Sequence, residues 1–338
     1  MNMVSGHCER IIVTGLLNIG SLFSYIVRYH ISNRVCIVNR IVQSKSRSLR
    51  RSQVIKRLRE SNNLPVFPEI LHRLESMLAD TKRVNVNKVA ELIESEPVIA
   101  GRVIKLANSA YYGGGRRTLE SIPLAVNRLG FQTLRTLVYS CVLPEMFQTV
   151  GGFDHLQFWR HSLTVGLLSR DLMTRSIERT LKTIDHAYLA GLMHGIGVLV
   201  FETLVPHEYS STLEVAKESS RLLVDVEREM FGIDHTELGA LLLESEWSMD
   251  ESIVDAVRHQ LNPPNPHPPH NVRETVFVAN AVCLVYGVSN GTGMNYSSLH
   301  LEYLAHLGKL NYDKESVERL LELAKNEVST IEDFLAIK

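Results

Sequence analysis

From Leu64 onward the apolar residues of this 338-residue chain recur with the period of a helix and not with that of a strand. In LPVFPEILHRLESMLA, Ile70, Leu71, Leu74, Met77 and Leu78 share one helical face, and Pro68 suits a first turn. NKVAELIESEP places Val89, Leu92 and Ile93 together; Pro97 then closes that helix and opens the next, PVIAGRVIKLANSA. SIPLAVNRLGFQTLRTLVYSCVL reads as two helical stretches meeting at Gly130. No segment alternates with period two over more than a few residues. The expected fold class is therefore all-α, a multi-helix bundle with no sheet.

A second helical block begins near Phe158. FWRHSLTVGLLSRDLM turns Trp159, Leu163, Leu167 and Leu168 inward, which puts His161 beside them. LAGLMHGIGVLVF, within a helix expected over about 185–204, has a single ionisable residue, His194, followed at once by Gly195. RLLVDVEREMFG ends at Gly232, and DHTELGALLLESEW starts with Asp234 and Glu237 in capping-box register. Ser248 and Glu251 repeat that register before IVDAVRHQL. The proline-rich NPPNPHPPH, 262–270, cannot be helix, and helices around VFVANAVCLVYG and DKESVERLLELAK close the chain. The organisation expected is an extension over 1–60, a helical domain over 61–290 and C-terminal helices over 291–338 packing on it. Within the domain, an N-terminal half runs to about 150 and a second half from about 151.

The formal net charge of -1 conceals an asymmetry, because residues 1–60 hold eleven Lys and Arg against two acids while the remainder is acidic. An acidic body is a poor match for nucleic acid. IIVTGLLNIGSLFSYIV, 11–27, carries no charge yet includes Thr14, Asn18, two glycines and two serines, and basic residues follow it. It reads first as a poorly ordered extension; a membrane association through residues 11–60 is the competing expectation. Cys8, Cys36, Cys141 and Cys283 lie far apart with no C-x-x-C pair, which fits buried thiols in a reducing, cytoplasmic setting.

Motifs for other chemistries are absent: there is no G-x-S-x-G, no G-x-x-x-x-G-K-[ST] and no H-E-x-x-H. The glycine run 113–115 lacks the lysine and serine of a phosphate cradle. In ANSAYY, Asn108 and Ser109 suit the end of a helix, while Tyr111 and Tyr112 bring apolar rings with polar tips. These four residues form either a turn joining the two halves or a partner or ligand surface. LAVNRLGFQTLRTLV has the spacing of a helix-turn-helix, with Arg128 and Arg135 nearby, but Leu134, Leu137 and Val138 favour a packing role.

Taken together and in order, ESEPVIAGRVIKLANSAYYGGG, SIPLAVNRLGFQTLRTLVYS, FWRHS, AYLAGLMHGIGVLVF, EREMFGIDHTELGALLLESEW and IVDAVRHQ resemble the HDOD family, bacterial relatives of the HD superfamily of metal-dependent phosphohydrolases. The resemblance spans about 64–286. It implies an all-helical fold with a regulatory role and no demonstrated common chemistry. An HD-type site takes a histidine from one helix, an adjacent His-Asp pair from a second and a distant Asp from a later one, since carboxylates neutralise the cation. On that pattern His161 and His194 match the two histidines, but Gly195 stands where the paired Asp belongs and Asn280 where the later Asp is expected. His259 followed by Gln260 replaces a His-His pair, and His235 matches a further family position. The GYP residues of cyclic-dinucleotide phosphodiesterases are missing after His194. The reading is a non-catalytic signalling module with a vestigial pocket around His161, His194, Gly195, His235, His259 and Asn280, no resident cofactor, and signalling proteins or a small ligand as partners. A weak metal-dependent phosphohydrolase is the alternative.

Overall fold

The computed structural model describes residues 49–61, 64–79, 84–108, 118–147, 154–262 and 271–293, together with Glu315, Glu318, Arg319, Leu321 and Glu322. All of these belong to one compact unit, Leu49–Lys338. Among the described residues every regular element is a helix, as the apolar period requires. In chain order the N-terminal half contributes α1 (Arg51–Glu60), α2 (Glu69–Leu78), α3 (Val86–Glu94), α4 (Pro97–Ala107) and α5 (Ile122–Met146). The second half contributes α6 (His155–Arg175), α7 (Leu181–Met193), α8 (Ile196–Leu204), α9 (Pro206–Ser219), α10 (Leu223–Phe231), α11 (His235–Leu241), α12 (Glu251–Arg258) and α13 (Val272–Val285). One π turn, Leu242–Glu246, joins α11 to the loop before α12.

Local signals account for most of these boundaries. Asn85 caps α3 by accepting from the backbone N–H groups of Asn87 and Lys88, and Pro97 occupies the first turn of α4. α5 is two helices fused across Gly130, whose φ of 79° lies outside the reach of most side chains. Asp234 caps α11 by accepting from the Glu237 N–H, but the reciprocal half of the box is not made, because Glu237 turns away to a bidentate pair with Arg51. The cap of α12 is Asp250 rather than Ser248; Asp250 accepts from the N–H and hydroxyl of Ser252.

Three expectations change. The helix anticipated over 185–204 is α7 and α8 separated by a turn at His194–Gly195. PHEYSSTLEVAKES, to which no element was assigned, is α9. The tail end of the basic extension, Arg51–Glu60, is a helix docked on the body: Val54 and Leu58 are buried, and Arg57 donates to the Leu204 carbonyl at 3.2 Å. Residues 11–48 and most of the expected C-terminal helices lie outside the described residues.

The second half centres on α6, α7 and α13, which pack on one another along their lengths. α6 and α7 cross closely because both are glycine at the contact: a Cβ on Gly191 would sit 2.7 Å from the Gly166 Cα. α8 meets α11 in the same way, since a Cβ on Gly197 would run into the His235 carbonyl. The run Leu181–Leu204 is long and apolar enough to cross a bilayer, yet 94% of its most apolar window is covered by protein. A part-buried ion-pair cluster ties the halves together: Arg135 on α5 pairs with Asp185 on α7 and, at 2.6 Å, with Glu75 on α2, which also accepts from the Tyr139 hydroxyl at 2.8 Å. That cluster takes Arg135 out of contention for reading DNA, and Leu134, Leu137 and Val138 are buried beside it.

Candidate functional site

A cavity of about 320 Å³ opens where α6, the α7–α8 turn, α10, α11 and α13 converge. His161, His194, Gly195, His235 and Asn280 all line it. The bundle thus brings together five of the six residues expected in the pocket, from four separated stretches of chain.

His161 is buried on α6, with its Nδ1 2.9 Å from the Val288 carbonyl and its Nε2 3.2 Å from Asn280 Oδ1. Burial holds the ring neutral, pushing its pKa down to about 4. A neutral imidazole carries one N–H, so only one of these contacts is a donated hydrogen bond, and protein atoms face both nitrogens. His194 caps α7, its Nδ1–H donating to the Gly191 carbonyl at 2.7 Å. Burial first, and then the neighbouring His161, press its pKa down to about 3. The two rings lie 5.1 Å apart.

Gln260 fills the position beside them. Its side-chain amide donates to the His194 carbonyl, closing the α7–α8 turn from the end of α12, and its Oε1 faces the Asn280 amide at 3.4 Å. His259 is a correction to the expected pocket. It does not line the cavity; its ring folds back one turn onto Asp255, at 2.8 Å from Oδ1, and leaves Gln260 and Leu261 to form the wall.

The opposite wall is built around a carboxylate that the sequence reading passed over. Glu227 on α10 is fully buried. Its Oε2 accepts from His235 Nδ1–H at 2.7 Å and from the His235 backbone N–H at 2.9 Å, and its Oε1 accepts from the Tyr209 hydroxyl at 2.7 Å. Burial opposes charge on His235, but Glu227 at contact distance outweighs it, so the pKa is raised above the ordinary value. The signal for Glu227 was an acid on the apolar stripe of Leu223, Val224, Met230 and Phe231. Arg228, which also lines the cavity, pairs with Asp234 at 2.5 Å.

This donor set does not fit a divalent cation of the HD type. Both nitrogens of His161 face protein oxygens, Gly195 offers no ligand, and Asn280 brings no charge. Among the described residues no three His, Cys, Asp or Glu side chains are grouped to hold a metal. Of the expected partner surface, Asn108 is structural: its amide donates to the Ile104 and Leu119 carbonyls and its Oδ1 accepts from the Leu119 N–H at 2.7 Å, pinning the two ends of the intervening loop. Ser109, Tyr111 and Tyr112 lie outside the described residues.

Known proteins agree with this architecture. The HDOD domain matches residues 64–263, more than half of the chain. A presumed phosphohydrolase from Shewanella amazonensis SB2B is 26% identical with a TM-score of 0.63, covering 84% of this chain and 98% of its own. An HDOD domain protein of unknown function from Geobacter sulfurreducens is 24% identical with a TM-score of 0.67, covering 86% and 99%. An uncharacterized protein of Treponema pallidum (strain Nichols) is 26% identical over 222 residues, 65% of this chain but 42% of that longer protein. With the matched segment covering α2 to α5 of the N-terminal half and α6 to α12 of the second, the chain belongs to the HDOD domain family.

Proposed function

We propose that this HDOD protein is a non-catalytic regulatory module whose cavity takes a small molecule and whose helices pass the event to a protein partner. The observation that carries the reading is the loss of both acidic HD positions, Gly195 and Asn280, with Asn280 set against His161. Hydrolysis at such a centre needs charge to hold the cation and a base to activate water, and the cavity supplies neither on its His161 and His194 side.

The route out of the cavity is short. His194 ends α7, and Asp185 on the same helix is locked to Arg135 of α5, which in turn holds Glu75 of α2. A ligand that favours one seating of α7 biases that buried pair, and with it the packing of the two halves. A presumed signal transduction protein from Marinobacter aquaeolei VT8 shares the fold, with a TM-score of 0.62 at 23% identity.

A phosphohydrolase is the second reading, favoured by the description of the Shewanella relative and by three histidines on one cavity. One assay separates the two. With Mn²⁺ added, the purified chain is expected to turn over generic phosphodiesters no faster than its His194→Ala variant. Turnover that the variant abolishes overturns the regulatory reading.

A further inference from the structure

Granting that the cavity takes a small molecule, as proposed above, we infer that it takes an uncharged one carrying an N–H or O–H donor, and that His194 Nε2 receives that donor. Charge is excluded by what already surrounds the cavity. Each charged side chain described on its lining faces an opposite charge supplied by the protein: Arg228 pairs with Asp234 at 2.5 Å and with Asp225 at 3.8 Å, and Arg258 pairs with Glu244 at 2.6 Å. His235 donates its Nδ1–H to the buried Glu227, so any charge on its ring is balanced as well. An ionic ligand would be stripped of water and would meet no unpaired countercharge in exchange.

The buried polar side chains of the lining are spent in the same way, with one exception. His161 meets protein oxygens from both ring nitrogens. The Gln260 amide donates to the His194 and Val257 carbonyls, and its Oε1 faces the Asn280 amide, whose own oxygen faces His161. The Thr236 and Thr292 hydroxyls donate to Asp234 and Asn290. His194 is the exception. Its Nδ1 meets the Gly191 carbonyl, and a carbonyl only accepts, so the proton sits on Nδ1 and Nε2 carries a bare lone pair. That nitrogen has no partner among the described residues, on a residue only 4% exposed that lines the cavity. An acceptor enclosed this far calls for a donor. Val198, Leu223 and Phe277 add apolar wall to the same cavity, which suits a flat, neutral ring bearing that donor.

The test titrates the full chain, with ¹⁵N-labelled histidine rings, by NMR against three probes: oxindole, N-methyloxindole, which lacks the donor, and naphthoate, an anion of similar size. Oxindole is expected to bind, to move the His194 Nε2 resonance, and to bind at least about 10-fold tighter than its N-methyl form, the scale of one hydrogen bond to a buried acceptor. In His194→Phe that preference is expected to disappear; a preference that survives comes from the bulk of the methyl group and removes His194 from the role. Should the variant fail to fold, the wild-type His194 Nε2 resonance decides, and oxindole binding that leaves it unmoved counts against the assignment. Equal affinity for the two lactams, tighter binding of naphthoate, or no binding of oxindole overturns the inference. Tighter naphthoate binding would leave a small-molecule cavity and replace only the class of ligand, whereas failure of the regulatory reading shows separately, as Mn²⁺-dependent phosphodiester turnover.

Discussion

Two walls of one cavity hold histidines in opposite states. On the first, His161 and His194 are buried against carbonyls and an amide with no carboxylate, and burial depresses both pKa values. On the second, His235 is a little more exposed but touches Glu227, and its pKa rises. The imidazole is common to both walls; the adjacent carboxylate is the main difference. A buried histidine is therefore evidence of charge only once its partner is known.

Removing that partner is the strongest way to break the contrast. Glu227→Ala leaves His235 and the Tyr209 hydroxyl without their acceptor and is expected to cost about 3–5 kcal/mol, read as a shift in denaturation midpoint. If the variant folds, the His235 pKa should fall below the ordinary histidine value by ¹⁵N NMR while His161 stays put.

The next effect is on pH. Because the folded pKa values of His161 and His194 lie below the unfolded value, the unfolded chain binds more protons in the window between about 6.5 and 4. Stability therefore drops as pH falls through it, by about 2 kcal/mol per histidine between pH 6.5 and 5. His235 works the other way: its contribution is complete below the unfolded pKa and is lost as pH rises through the folded one. Urea titrations across that range should show a net loss on acidification; a stability flat from 6.5 to 5 would mean that the first wall is not sealed.

Smaller still, Gly195→Ala drives a methyl into the Phe158 ring and is expected to cost about 1–3 kcal/mol by thermal denaturation. Tyr209→Phe should cost about 1 kcal/mol, because it removes one hydrogen bond to Glu227 and leaves the stacking of that ring on Phe201 intact. A larger loss from Tyr209→Phe would show that the hydroxyl holds the Glu227 side chain in place more firmly than His235 does.

Much of the architecture was legible because helices announce themselves locally. Asn85 and Asp234 cap as their side chains predict, Gly130 breaks α5, and Gly232 ends α10 in a left-handed conformation. His161, His194, Gly195, His235 and Asn280 converge on one cavity because α6, the α7–α8 turn, α11 and α13 meet there. Side-chain direction was not legible. His259 and Gln260 are adjacent in sequence, and which of them faces the cavity depends on how α12 ends against α7. The place of Phe158 was not legible either, because only the crossing of α6 over the α7–α8 turn lays its ring on a glycine 37 positions away. Ser248 has the register of a cap, but Asp250, two residues later, takes that role by accepting from the Ser252 N–H.

The 24-residue run Leu181–Leu204 sets an order of events for the newborn chain. It leaves the ribosome with α6 already made, but α13, which covers another of its sides, follows only after the intervening residues have been synthesised. For that interval the chain displays a stretch apolar enough to be taken for a membrane segment, and α6, which packs on α7, is the cover at hand until α13 arrives.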